Sequence, residues 1–466
     1  MGSLVKSDGK NNNIEVFERL PVPKAVMTMA VPTIISQLIV LIYNIADTFF
    51  IGRTNNPHMV AGASLILPLF NITLSLSGLA GIGGGALISR LLGEKRADEA
   101  RKVYSFCVYL GIFSAALFAV LVFAFMRPLM GFLGAGADTY AYASGYAFMV
   151  IVCGGVPTVL SNILANLIRS VGESKKAGFG ITMGGLINIA LDPLFMFVLL
   201  PDGMEIFGAG IATCLSNCIA CGYFIVTLFR MKGNSVLRLC APSNLPMRKN
   251  LLAVFSVGVP SAISTLLFDM DYIVIDRLMS EYSDIALAAI GIVLKAERLP
   301  LNVGIGICQG MMPIIAYNYS AGNFKRMNET RLYSLKLGLV CAAVSIALYQ
   351  IFAGQIMNVF IDDAQTVALG TGFLRVRVLA TPLMFLSFFH VYLFNGFGKG
   401  GYALFLGVTR WLGFNIPMLF LLNWIIGMQG IVWAQVTADI LTVALSLAVY
   451  WNFQRKRFVE GAEDIL

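Results

Sequence analysis

Twelve apolar runs of about 20 residues, each long enough to cross the hydrocarbon of a bilayer as a helix, leave this chain few ways to fold. They lie near 25–50, 60–85, 103–126, 142–166, 178–200, 206–229, 251–275, 285–315, 333–354, 373–395, 402–424 and 428–451. Strands of a membrane barrel would be about ten residues long with strict alternation, and these runs are neither. Of 466 residues, 58% are hydrophobic and 12% charged, whereas a soluble domain carries about 25% charged residues. The expectation is an all-α membrane protein with twelve transmembrane helices. Residues 1–24 are polar and lack the apolar core of a signal peptide. The first run is therefore expected to remain as a span behind a cytoplasmic N-terminal tail.

The loops carry an orientation signal. Arg90, Lys95, Arg96, Arg101 and Lys102 follow the second run, and Lys175 and Lys176 follow the fourth. Arg230, Lys232, Arg238, Arg248 and Lys249 follow the sixth, Lys325, Arg326 and Arg331 the eighth, and the tail holds "QRKR". The opposite loops offer Arg53, Arg127 and Arg277 among acids such as Asp202, Glu205, Asp362 and Asp363. The positive-inside rule then puts both termini and the basic loops in the cytoplasm. The net charge of +8 reads as topology, and no nucleic-acid partner is expected.

The sequence also repeats. "MAVPTIISQLIVLIYNIADTFFIG" from Met29 lines up with "VGVPSAISTLLFDMDYIVIDRLMS" from Val257, placing Pro32 on Pro260; Gly93 similarly lines up with Gly322. Each copy holds six runs and starts on the same side, so two pseudo-symmetric six-helix bundles are expected. These are an N-lobe over 25–229 and a C-lobe over 251–451, joined by a basic linker at 230–250 with Pro242 and Pro246 and followed by a tail at 452–466. Substrate sites of parallel-repeat carriers tend to lie between the copies.

No G-x4-G-K-[ST] phosphate loop is present, and "GLAGIGGGA" (Gly78 to Ala86) ends an apolar run with no strand before it. Those glycines read as helix packing. Cys214, Cys218 and Cys221 lack nearby histidines or acids and read as buried apolar groups, so neither a disulfide nor a metal cluster is expected. Two lobes without an enzyme signature point to a transporter that needs no cofactor.

The residues then become recognisable. Pro32 followed by "YNIADTFFIG", "NIALDPLFMF" in the fifth run, and "GICQGMMPIIAYNYSAG" from Gly306 to Gly322 occur in order at family spacing. The chain resembles the multidrug and toxic compound extrusion (MATE) family, in its bacterial-type efflux branch, over essentially its whole length. The resemblance implies an antiporter exporting organic cations and other amphipathic toxic compounds against inward protons or sodium ions. A facilitator-type carrier would show G-x-x-x-D-R-x-G-R-R after its second helix, where this chain has "SRLLGEKRADEAR". A flippase for lipid-linked saccharides, of the same superfamily, is the rival reading; a channel would more naturally show a continuous polar pore.

Charges inside the runs are the candidate site. An acid at membrane depth costs roughly 2.5–3.5 kcal/mol on insertion scales, and Asp192 stands there beside Pro193 in "NIALDPLFMFVLL". Asn188 is one turn earlier on the same face. Asp47 ends the first run, with Asn44 beside it. Two carboxylates facing one cavity disfavour each other's ionisation, so one can hold a proton; with amide oxygens, Asp47, Asn188 and Asp192 could instead hold Na+. The alternative is structural, with Asp47 capping a helix and Asp192 bonded to backbone freed by Pro193. The resemblance maps a cation-coupling site onto Asp47, Asn188, Asp192 and Thr213. Protons are the expected coupling ion and sodium the alternative. Pro32, Pro193 and Pro260 are expected to bend their helices.

In the C-lobe, Asp269 and Asp271 are candidate coupling or substrate groups. They are two apart and cannot share a face, so at most one is expected to face the central cavity. Asp276 is expected to pair with the adjacent Arg277. Glu297, with Lys295 and Arg298 around it, reads as either a coupling or substrate group or a local ion pair. Asp439 reads in the same two ways, and His390 reads as structural. An acid used in the tenth helix by one family branch is missing. Thirty-three Phe and 21 Met residues suit an adaptable apolar pocket, although lipid-facing positions account for most of them. The protein is expected in the cytoplasmic membrane as a monomer.

Overall fold

The computed structural model describes residues 15–231, 235–241 and 246–459. Residues 1–14 of the expected tail, Lys232, Pro242 and residues 460–466 lie outside the described residues, as does the side chain of Asp269.

A short helix α1 (Glu15–Glu18) precedes the spans. The first six spans are α2 (Val22–Gly52), α3 (Pro57–Gly93), α4 (Ala97–Ala124), the pair α6 (Ala137–Ala147) and α7 (Gly155–Ser170), α8 (Ser174–Leu194) and α9 (Glu205–Met231). A small helix α5 (Met126–Phe132) follows the third span. The second six are α10 (Arg248–Ser280), α11 (Asp284–Ser320), α12 (Phe324–Phe360), α13 (Ala364–Arg377) continued by α14 (Thr381–Gly396), α15 (Gly400–Val408) continued by α16 (Ile416–Ile426), and α17 (Met428–Val459). Among the described residues, eleven helices and one pair bent by 47° at Gly154 are long and apolar enough to cross a membrane. The all-α, two-bundle expectation holds. Several helices outrun their apolar runs: the ninth, expected at 333–354, extends over Phe324–Phe360.

Local chemistry sets the ends. Asn56, Ser283, Asn323 and Asp363 cap helix N-termini by accepting from the backbone N–H of His58, Ala286, Arg326 and Thr366, satisfying donors the helix cannot. The fourth and tenth spans end in the same left-handed turn, at Gly172 (φ 89°) and Gly398 (φ 71°). In both, paired backbone bonds close the turn, Glu173 N to Ile168 O in one and Lys399 N to Phe394 O in the other, as in a Schellman cap. The second and eighth spans end alike, but the positive φ falls on Lys95 and Gly322. The structural match to Gly322 is therefore Lys95; Gly93 instead lies against the Tyr317 carbonyl, where a Cβ would clash.

Pro32 and Pro260 sit inside helices that run on without a break. The Met29 carbonyl, in the turn before Pro32, accepts from the hydroxyls of Thr33 (2.9 Å) and Ser174 (2.6 Å), which satisfies backbone that a proline disturbs. After Pro193 the helix widens into a π segment over Phe195–Leu199, one of the ways a helix absorbs a proline.

The eighth span is 67% buried in its apolar window and the ninth 22%, which puts α11 between the lobes and α12 at the lipid face. The lobes meet where α3 crosses α10 and α2 crosses α11. Gly83 and Gly258 let α3 and α10 touch backbone to backbone, beside Val254 and Leu79. Gly306 and Gly310 do the same for α11 against Ile34 and Ala30. All these contacts lie at the ends that carry the basic loops. Adding a side chain there is overpacking with no flexible neighbour to yield. Gly258→Leu is expected to lower stability by about 1–3 kcal/mol, while Gly222→Leu, where a Cβ meets nothing, should change it by less than about 0.5 kcal/mol. Thermal unfolding of the purified protein compares the two.

Two segments outside the spans reinforce this closed end. Phe17 of α1 is fully buried and stacks on Tyr317 at 5.1 Å. Tyr317 donates to Glu18 (2.5 Å), Asn318 donates to the Phe17 carbonyl (3.2 Å), and Arg326 donates to the carbonyls of Phe17 and Leu20 (2.6 Å each). The linker is pinned along α4, where Tyr109 donates to the Cys240 carbonyl and Ser105 accepts from its N–H.

Candidate functional site

Between the lobes, away from the closed end, lies a cavity of about 380 Å³. Amides and hydroxyls from both bundles line it, including Asn44, Asn188, Thr213, Asn302, Gln309 and Asn395. Among the described residues of its lining, Arg169 is the one charged side chain. At the floor, Gln37 of α2 donates to Gln309 of α11 (3.1 Å), which donates to the Tyr392 hydroxyl (3.2 Å). That chain of bonds ties the lobes together.

Asp47 and Asp192 stand behind the N-lobe wall rather than in it. Glycines in α8 set the approach: a Cβ on Gly185 would strike Ile39 and Tyr43 of α2, and one on Gly184 would press on Ala220 of α9. This close packing brings Asn188 and Asp192 to neighbouring helices. Asn188 donates to Asp192 Oδ1 (3.2 Å) and to the Thr213 hydroxyl (3.4 Å), and Tyr146 donates to Asp47 Oδ2 (3.4 Å). Tyr43 and Tyr146 lie within electrostatic reach of both carboxylates. Asp192 is 0% exposed. Among the described residues, Asp47 Oδ1, Asn188 Oδ1 and Asp192 Oδ2 are buried acceptors with no donor. Buried lone pairs left unmatched are costly, and a proton or a small hard cation is the partner such oxygens suit.

The C-lobe carries a different arrangement. Glu297 accepts two bonds from Arg377, at 2.7 and 2.9 Å, with both side chains buried. Arg410 pairs with Asp439 at 2.9 Å, and Gln435 donates to the same carboxylate at 2.6 Å. Asp271 is fully buried near these groups, and neither of its oxygens has a hydrogen-bond partner among the described residues. None of Asp271, Glu297 or Asp439 lines the central cavity.

The family model MatE matches residues 32–194 and 260–421, two segments that start on the repeat prolines. The chain belongs to the MatE family. Its MatE relatives include the multidrug export protein MepA of Staphylococcus aureus, strain MSSA476, 28% identical over 98% of this chain and 99% of that one. The multidrug export protein MepA of Staphylococcus saprophyticus is 27% identical over 97% and 99%. A solved outward-facing multidrug resistance MATE family transporter of the MOP superfamily superposes with a TM-score of 0.89 at 20% identity, covering 96% of this chain and 98% of that one. A MOP superfamily transporter from Pyrococcus furiosus gives 0.86 at 21%, covering 94% and 98%. At those identities the structures speak to the fold alone. It is the twelve-helix MatE fold.

Within this MatE protein, Asp47, Asn188, Asp192 and Thr213 converge, and Tyr43 and Tyr146 join them. Those two tyrosines gave no sequence signal, since an aromatic in a span usually faces lipid. The two acids do not face each other across the cavity, as the sequence suggested, because Asn188 and Tyr43 stand in its wall in front of them. Among the described residues Glu297 pairs with Arg377 rather than with its neighbours Lys295 and Arg298, and Arg298 lies over the rings of Phe268 and Tyr272. Arg277 pairs at 4.0 Å with Glu281 rather than with Asp276, because adjacent residues on a helix point apart. His390 bonds to the Leu386 carbonyl at 2.8 Å. Arg377 and Arg410 were missed; the available signal was that opposite charges at membrane depth must find one another.

Proposed function

We propose that the protein is a secondary multidrug efflux antiporter of the cytoplasmic membrane. It would export amphipathic organic compounds, cations among them, as protons move inward, with sodium as the alternative ion. The observation that carries this reading is the cluster of unmatched acceptors on Asp47, Asn188 and Asp192 beside a cavity sealed at one end. With the basic loops and both termini in the cytoplasm, the cavity opens outward, the state in which a driving ion enters. Ion binding at Asp192 and Asp47 would alter how α8 packs on α2 and α9, and Asn188 carries that change to the cavity wall. The N-lobe (25–229) and C-lobe (251–451) then rock about the α2–α11 and α3–α10 crossings, and a single chain suffices for the cycle.

The test is ethidium transport in proteoliposomes with the pH and sodium gradients imposed separately. Efflux driven by an inward proton gradient, and indifferent to sodium, is the expected result. Efflux driven by sodium alone would reassign the ion and keep the mechanism. Absence of efflux under both, with flipping of lipid-linked saccharides, would replace this reading with the flippase.

A further inference from the structure

Arg169 is not explained by the ion cluster. It stands in the last turn of α7, is 5% exposed, and lines the closed end of the cavity. Its Nη1 donates to Asn166 Oδ1 at 2.9 Å, while its Nε has no partner among the described residues. No carboxylate forms an ion pair with it among the described residues, and Asp47 and Asp192 are absent from the cavity lining. Asn162 and Asn166, on the same face of α7, are neutral and donate their amide hydrogens to backbone carbonyls of their own helix, so the bond from Arg169 to Asn166 Oδ1 supplies no counter-charge. A buried cation without a counter-charge persists at membrane depth only where it faces water or a ligand.

The surroundings complete a seat for an acceptor. The Tyr392 hydroxyl accepts from Gln309 and keeps its own hydrogen to donate. Asn395, the counterpart of Arg169 in the second repeat, completes the floor from the other lobe. A guanidinium presents a planar fork that matches a carboxylate through two parallel bonds.

We propose that Arg169 is an anion-recognising subsite at the cavity floor and that the preferred cargo is an amphipathic zwitterion. Its carboxylate would rest on Arg169 with Tyr392, and its cationic part would point toward Asn188 and the acids behind it. The inference rests on the export reading above and adds the substrate class.

A matched dye pair tests it. Rhodamine 110 carries a free carboxylate, and rhodamine 123 is its methyl ester, so the two differ in the group that Arg169 would read. Fluorescence anisotropy with the purified full chain is expected to show rhodamine 110 binding about tenfold more tightly, the scale of one hydrogen bond to a charged group. In Arg169→Gln the ratio between the dyes should fall toward one, and in Arg169→Lys an intermediate ratio should remain because the charge is kept. Equal binding of both dyes to the wild type, or an unchanged ratio in Arg169→Gln, overturns the inference. If Arg169→Gln does not fold, the wild-type ratio and the Arg169→Lys variant decide. Ethidium, which carries no acidic group, is measured on the same preparation. Ethidium binding without dye discrimination overturns this inference alone, and failure to bind any of the three overturns the export reading as well.

Discussion

Asp192→Asn is expected to cut ion-driven efflux about 10- to 100-fold, the range of a typical coupling free energy between two sites, while ethidium still binds. The substitution is nearly isosteric, so the helix around Pro193 and the contact with Asn188 can persist. What disappears is the charge, together with the ability to take up and release a proton at a fully buried position. Asp47→Asn should act in the same direction and more weakly, because Asp47 is only half-buried and has Tyr146 as a donor. Proteoliposome efflux after a pH jump reads the first effect, and anisotropy of bound ethidium the second. Wild-type efflux in both variants would remove the N-lobe acids from the mechanism. Loss of ethidium binding in step with efflux would make Asp192 a substrate ligand instead.

Arg377→Met should be the most damaging single change to stability. It strips a buried carboxylate of both its guanidinium bonds, and breaking a buried pair in this way costs about 3–5 kcal/mol. The remaining partner of Glu297 would be Tyr272, whose hydroxyl donates at 3.4 Å, too long to satisfy a stranded charge. Adding Glu297→Leu removes that charge, and replacing both members of a buried pair by apolar groups is often neutral. The double variant should therefore recover most of the loss. Thermal unfolding of the four proteins in detergent forms the double-mutant cycle. A single variant that melts with the wild type would mean that the pair contributes no stability. A double variant no better than the single would mean that Arg377 acts through Asp271 or Asp439 rather than through Glu297.

The spans and the repeat were legible because hydropathy is a local property, readable a few residues at a time. Asp192 and Asn188 were legible for the same reason: an acid in an apolar run stands out, and spacing of four puts its neighbour on the same face. What failed was partner choice across helices. Glu297 has Lys295 and Arg298 beside it in sequence, yet its bond goes to Arg377, which only the packing of α11 on α13 brings near. Arg169 went unnoticed because it lies just past the expected end of the fourth span, where a basic residue reads as loop charge; the helix runs on through it and turns it into the cavity floor. Around Pro32 the helix runs on, and the Thr33 and Ser174 hydroxyls bond to the Met29 carbonyl in the turn before it.

The docking of α1 on the far lobe has a consequence for turnover. Residues just ahead of the first span belong to one bundle by connectivity and to the other by contact, since Phe17 and Glu18 meet Tyr317, Asn318 and Arg326. The closed end cannot part at α2 and α11 while that segment stays seated. In the rocking cycle proposed above, each turnover would have to peel this segment from its seat and lay it back, like a doorstop lifted before the door swings. On that proposal its grip would enter the barrier between the two orientations and leave the cavity untouched, so this segment would set the tempo of transport rather than the choice of cargo.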